Sequence, residues 1–159
     1  MNRIIYYYQT FIGLDYILSN NVVTHIHLSS IHFGESSQGI PCVHLNDNEI
    51  NSNIFDPVWK DCHNASQKGI KIILMIGGAG GAYYNLFNSF DVYYPLLKQF
   101  IQQHDFINGV DLDIEEEVSL SNVKMFIRTL KNDFGENFII TTAPLGDSLM
   151  NDSEGMGGF

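Results

Sequence analysis

The chain has 159 residues, enough for one domain with one sizeable core, and its hydrophobic fraction of 45% and aromatic fraction of 13% exclude a disordered polymer. A net charge of −10 speaks against nucleic acid, whose phosphates need basic patches, and against an anionic membrane surface. Cys42 and Cys62 have no metal-ligand spacing and no disulfide framework around them, so both read as free thiols, Cys62 on the buried side of a helix. No uncharged run approaches the roughly 20 residues of a membrane helix. The N-terminus enters a strand pattern at once, without charged leader or cleavage site, so a soluble protein that stays in the compartment where it is made, the cytoplasm or another, is expected.

In chain order, residues 3–9 form a β-prone run with Ile4, Ile5 and three successive tyrosines. Residues 13–20 read as a short helix with Leu14, Ile17 and Leu18 on one side. Residues 22–33 return to strand, with His25, His27 and Ile31 on one parity and Ile26 and Leu28 on the other. Two histidines at i, i+2 without a third ligand nearby read as ordinary hydrogen-bonded histidines. Residues 34–53 are polar around the apolar run 40–45, as a hairpin excursion would be.

Asp56 and Pro57 open a helix as N-cap and first-turn proline, Val58, Trp59, Cys62, Ala65 and Ser66 trace its inner stripe, and Gly69 ends it. Residues 71–77 are almost continuously apolar, which fits a strand covered on both faces. The cluster 77–81 is nearly all glycine but matches neither a phosphate loop nor a dinucleotide fingerprint. Its glycines let backbone approach a ligand or leave a crowded strand end. Asp91 can cap the next helix, which carries Tyr93, Leu96, Leu97, Phe100, Ile101 and His104 on one face. After the stretch 108–115, Ser119 or Ser121 caps a helix with Leu120, Val123, Phe126, Ile127 and Leu130, closed by Gly135. Residues 137–143 form one more strand, and 147–159 have no regular pattern.

The stretch 108–115 organises the rest. Asp111, Asp113 and Glu115 alternate with Val110, Leu112 and Ile114, which puts the carboxylates on one face of a strand and the aliphatics on the other. Carboxylates roughly 6–7 Å apart on a partly enclosed face resist ionising together, so at least one should hold its proton more tightly. A proton so held is what a general acid needs. Two plainer readings compete. An exposed edge strand would leave the carboxylates in water, but its flanking strands read as buried and Asp is depleted in ordinary strands. A Ca²⁺ or Mg²⁺ site would need ligands that wrap one ion, which a straight strand spreads too far apart.

Strand and helix alternate five strands deep, so the fold class is α/β with parallel strands and helical crossovers, an open doubly wound sheet or part of a (β/α)₈ barrel. The acidic and the glycine clusters both sit at C-terminal strand ends, where a barrel builds its active site. No repeat or linker divides the chain, so 1–159 reads as one domain.

With these residues in view, the chain resembles glycoside hydrolase family 18, the chitinases and related endo-β-N-acetylglucosaminidases. The family pattern Asp-Gly-x-Asp-x-Asp-x-Glu closes the fourth barrel strand, and here it reads Asn108-Gly109-Val110-Asp111-Leu112-Asp113-Ile114-Glu115. Gly77-Gly78 after the third strand and a first strand bearing Tyr6 and Gln9 support the likeness, which runs from Arg3 to Pro144. It implies a partial (β/α)₈ TIM barrel, about the first five strand–helix units. It implies Glu115 as the acid that protonates the glycosidic oxygen and Asp113 as the group orienting the substrate's 2-acetamido arm. Asp111 would be the buried partner of Asp113, and Tyr6, Gln9, Gly77 and Gly78 would lie against the sugar. No cofactor and no metal are implied. The partner is an N-acetylglucosamine-containing glycan.

Four departures stand out. Asn108 replaces an Asp. Met75 replaces a third-strand Ser that in the family bonds the position of Asp111. Ile114 replaces a frequent aromatic. A whole barrel takes about 250 residues, so a chain ending after five strands lacks the family's sixth-strand Tyr and eighth-strand Trp and reads as a fragment. The expectation is therefore a retaining, substrate-assisted hydrolase of β-1,4-linked N-acetylglucosamine glycans, possible self-association through open barrel edges, and uncertain activity for this length of chain. Two alternatives are a lectin on the same fold, against which the presence of Glu115 counts, and an interaction fragment.

Overall fold

The computed structural model of the chain describes residues 2–144 together with Gly146 and Met150, so the pattern-free stretch 147–159 lies outside the described residues except for Met150. In chain order the elements are β1 (Ile5–Tyr8), α1 (Asp15–Asn20), β2 (His25–Glu35), β3 (Pro41–Leu45), β4 (Asn48–Glu49), a 3-10 turn (Asn53–Phe55) and α2 (Asp56–Gln67). They continue with β5 (Lys71–Gly77), α3 (Ala82–Asn88), α4 (Phe90–Gln103), β6 (Ile107–Asp113), α5 (Leu120–Phe134) and β7 (Ile139–Thr142).

Five parallel strands in the order β1, β2, β5, β6, β7 form the frame. A parallel neighbour needs a crossover, and helices supply each one, as expected of the α/β alternation. Among the described residues β1 and β7 do not pair, so the sheet is an open portion of a barrel. The β3–β4 excursion is a hairpin. β3 runs antiparallel to the second half of β2, from Ile31 to Glu35, while β1 takes the first half, from His25 to Leu28.

Period-two alternation decides what each strand faces. Ile26, Leu28, Ile72, Leu74, Ile76, Val110 and Leu112 share one core cluster with Val58, Cys62 and Ala65 of α2, Leu97 and Phe100 of α4, and Phe126 and Leu130 of α5. Ile73 and Met75, of the other parity, are buried but stand outside that cluster, on the concave side. β5 is therefore covered on both faces, which is why its sequence is an unbroken apolar run. Polar ties fasten the helical layer. Asp133 of α5 accepts from the Tyr94 hydroxyl at 2.7 Å and from Lys98 Nζ at 2.8 Å, both on α4.

Three local expectations change. Ile31 does not share the face of His25 and His27. The β2–β5 register shifts between Leu28 and Ile31, three residues spanning what two span on β5, and the extra residue returns Ile31 to the core. Asp56 is the first residue of α2 rather than its cap, and Asp91 lies inside the first turn of α4 behind Ser89. Helix α3 went unread, because its seven residues follow directly on the glycine cluster. Ser119, not Ser121, caps α5, accepting from the Asn122 N–H at 3.2 Å.

Gly109 shows why the acidic stretch contains a glycine. It pairs with Ile139 across β6 and β7, and a Cβ there would overlap the Ile139 carbonyl oxygen and press on its Cβ. Both obstacles are fixed parts of a neighbouring strand. Gly109→Ala should therefore cost about 3 kcal/mol, read as a lower urea midpoint, and an unchanged midpoint would contradict the close β6–β7 approach.

Candidate active site

The site is built on the concave face of the sheet, where side chains of one parity converge from several strands. Asp111 is 1% exposed and lies at its centre. Thr141 Oγ1 of β7 donates to its Oδ1 at 2.5 Å, and the Tyr7 hydroxyl of β1 donates to its Oδ2 at 3.2 Å. The Nδ1 of His27 on β2 stands 3.2 Å from the same Oδ2. Burial alone would raise the Asp111 pKa, but the neighbouring His27 and the bonds from Thr141 and Tyr7 outweigh it and hold the carboxyl below its usual range. Tyr7 responds the other way. Burial first, then the charge and hydrogen bond of Asp111, push its hydroxyl up to about 12, so it stays a donor.

Two residues further along the face, Asp113 is half-buried and ends β6. Burial, then the negative charges of Glu115 and Asp111, raise its pKa. The expected crowding of carboxylates is thus felt at the middle member of the three. Glu115 lies past the end of the strand and is exposed at the rim, whereas Ile114 beside it is buried with Val110 and Leu112. The alternation that separates carboxylates from core aliphatics therefore persists one turn of the chain beyond the regular strand.

The glycine cluster braces this end of β6. Gly77 pairs with Asp113, and a Cβ on Gly77 would overlap the Asp113 carbonyl oxygen and the Tyr83 ring. The Gly78 N–H donates to that carbonyl at 2.9 Å. Of the two roles open to these glycines, leaving a crowded strand end is the one the geometry displays. A Cβ on Gly78 would stand 3.7 Å from Asp113 Oδ2, so this backbone also passes close to the carboxylate.

Glu116, which the sequence reading passed over, closes the brace. Its carboxylate accepts the backbone N–H groups of Tyr83 at 2.7 Å and Tyr84 at 2.9 Å, in the first turn of α3. A negative group there meets unpaired donors and the positive end of the helix dipole. The loop that carries Glu115 is thereby tied to the glycine loop. Its only sequence signal is its place in the middle of three successive glutamates, which reads as a solvated charge run.

The remaining sequence candidates divide. Tyr6 pairs with Ile26 and packs with the core aromatics, while Tyr7 pairs with His27 and faces Asp111. The tyrosine on the site face is Tyr7, one residue from the expected Tyr6, because the run of three tyrosines hides its own parity. Gln9 lines a polar cleft of about 660 Å³ beside the strand ends, with Ser30, His32, His44, Asn46 and Gly80. His32 bonds Ser30 Oγ at 3.0 Å, and its pKa is lowered by burial and then by His44.

Two departures find a structural account. Asn108 Oδ1 accepts the Ile72 N–H at 3.1 Å, next to a register shift between Ile72 and Ile73, so an amide serves as a stitch between β5 and β6. Met75 pairs with Asp111 in register and offers no proton, yet Asp111 has donors on two other strands and His27 of a third within reach. Among the described residues no group of three or more His, Cys, Asp or Glu is placed to hold a metal ion. Cys42 and Cys62 are both free thiols, and no helix of the described residues is long and apolar enough to cross a membrane.

Opposite pKa shifts give opposite stability effects. The lowered Asp111 stabilises the fold above the ordinary carboxylate pKa, and that contribution is lost as pH falls through its folded value. The raised Asp113 does the reverse, since stability falls as pH climbs from the ordinary value to the raised one. At neutral pH Asp111→Asn should lower the thermal midpoint and Asp113→Asn should raise it. In strong acid both differences should shrink. Shifts of the same sign at neutral pH would contradict the division of charge described above.

Comparison with solved structures gives the family. The chain is 32% identical to a chitinase from Aspergillus fumigatus, with a TM-score of 0.87, over 100% of this chain and 60% of that one. It is 29% identical, with the same TM-score and coverage, to a fungal endo-β-N-acetylglucosaminidase of glycosyl hydrolase family 18. A family 18 chitinase from Pseudoalteromonas aurantia, 17% identical with a TM-score of 0.64 over 99% of this chain and 61% of that one, shares the fold. No family model and no curated protein matches the chain. The chain spans about 60% of the length of these first relatives. Over its full described length it therefore corresponds to the N-terminal portion of a glycoside hydrolase family 18 catalytic barrel.

Proposed function

We propose that the chain carries the acid and the acetamido-orienting groups of a retaining, substrate-assisted hydrolase of β-1,4-linked N-acetylglucosamine glycans. One observation carries the reading. Asp113 stands half-buried between a fixed, buried Asp111 and a rim-exposed Glu115, at the C-terminal end of a parallel strand, where burial and both neighbouring charges raise its pKa. The fungal chitinase and endo-β-N-acetylglucosaminidase relatives support the substrate class.

In this reading the glycan lies along the polar cleft containing Gln9 and His32. Glu115 gives its proton to the glycosidic oxygen as the bond from that oxygen to the anomeric carbon breaks. The substrate's own acetamido carbonyl oxygen bonds to that carbon, forming an oxazolinium ion. Asp113 accepts the acetamido N–H and holds the arm in line. Water then adds to the anomeric carbon, giving its proton to Glu115 and reopening the ring with retention. No protein carboxylate acts as nucleophile, so three carboxylates on one face need not all be charged.

Glu115→Gln keeps the side chain's size and removes its proton. It should lower turnover of chitooligosaccharides by about 10²–10⁴ while leaving their binding in place. A substrate without the acetamido group should be inert to the unmutated protein. Equal hydrolysis of both substrates would sink the mechanism, and full activity of Glu115→Gln would sink the role of the acid.

The same open sheet bears on assembly. β1 and β7 each leave one edge unpaired among the described residues, and Ile4, Ile5 and Tyr7 are exposed along β1. Unpaired edges recruit strands, so the isolated chain should self-associate. Sedimentation velocity should give a concentration-dependent mass, and a single monomeric boundary at all concentrations would refute this.

A further inference from the structure

His27 is a buried imidazole that the mechanism above does not use. It is 1% exposed, on the concave face of β2, with the Tyr7 ring edge-on at a centroid distance of 5.0 Å. Its Nδ1 lies 3.2 Å from Asp111 Oδ2, at hydrogen-bond distance but not well aligned. Neither ring nitrogen has any other partner among the described residues. A buried donor without an acceptor is costly, and a small ring rotation would align this one with a carboxylate already in reach.

The geometry points to His27 as a positioning residue, which donates from Nδ1 and fixes Asp111 as a permanent hydrogen-bond acceptor beneath Asp113. The inference rests on the hydrolase reading only for its consequence, not for the contact. Asp111 Oδ1 is taken by Thr141, and Oδ2 is shared by Tyr7 and His27. A carboxylate with donors on both oxygens has little reason to accept a proton. Of these two carboxylates, Asp113 is then the one whose proton affinity is raised, next to Glu115 and the substrate arm. Met75, the β5 residue in register with Asp111, supplies no donor, so removing His27 would leave Oδ2 with Tyr7 alone among the side-chain donors present.

The charged and titratable groups around Asp111 are Tyr7 on β1, His27 on β2, Asp113 on β6 and Tyr83 on α3. Tyr7 and Tyr83 both have raised pKa values, so neither ionises in the range where Asp111 titrates. His25, on the face of His27, has its pKa lowered by burial and then by Arg3 and His27. A change in the Asp111 titration on altering His27 can thus be assigned to the contact between them.

Two measurements on the full chain test this. In the unmutated protein, nitrogen NMR should place a proton on His27 Nδ1, and a neutral ring protonated only at Nε2 would overturn the proposal. Carbon NMR of labelled aspartates should then show the Asp111 midpoint rising by about one pH unit in His27→Phe, which keeps a ring and removes the donor. His27→Asn, which can place an amide N–H near Nδ1, should retain most of the low midpoint. An unchanged midpoint in His27→Phe, or a rise just as large in His27→Asn, would overturn it. Where chitooligosaccharide hydrolysis is detected, His27→Phe should lower kcat more than it alters KM and shift the acidic limb of the pH profile. If hydrolysis is absent from every form while the NMR results hold, the hydrolase reading fails and the positioning of Asp111 by His27 stands.

Discussion

The structure depends on burying one carboxylate. Asp111 sits where four parallel strands converge, and an unpaired charge there would be untenable. Tyr7 of β1 and Thr141 of β7 donate to it and His27 of β2 stands within reach, so its satisfaction requires that those strands curve around β6. Curvature and chemistry are thus one constraint. A flatter sheet would leave Asp111 unsatisfied, and an apolar residue in its place would remove the negative charge that helps to raise Asp113.

Around that centre, positions without side chains do as much as those with them. Gly109 lets β7 come close enough for Thr141 to reach Asp111, and Gly77 lets the loop after β5 fold over the carbonyl of Asp113. Glu116 then joins the two loops through the first turn of α3. The carboxylates of β6 are held by backbone on one side and by buried donors on the other. Such preorganisation suits groups whose task depends on small differences in proton affinity.

Much of this was legible in the sequence because its periods are strong. The alternation of Asp111 and Asp113 with Val110 and Leu112 assigned both faces of β6, and the apolar run of β5 announced a doubly covered strand. Other features were not legible, each for a local reason. Three tyrosines in a row carry no parity, so Tyr6 was read for Tyr7. The extra residue in β2 turns Ile31 to the core without leaving any mark in composition. Helix α3 is shorter than a hydrophobic period can reveal. Glu116 looked like surface charge because its partners are main-chain N–H groups, which no sequence displays. His27 was read as an ordinary histidine, since its meaning comes from Asp111, 84 positions away in the chain.

The stitch made by Asn108 also bears on how the molecule ages. Asn108-Gly109 is the only Asn-Gly pair in the chain, and such pairs deamidate readily because the glycine nitrogen can attack the side-chain carbonyl and form a cyclic imide. Here that carbonyl is engaged by the Ile72 N–H, and both residues lie in a strand between two others. An extended, laddered backbone keeps the attacking nitrogen away from its target. The chemically weakest bond of the acidic stretch is thus protected by the fold itself. Its slow conversion to aspartate and isoaspartate would serve as a clock of how often β6 opens.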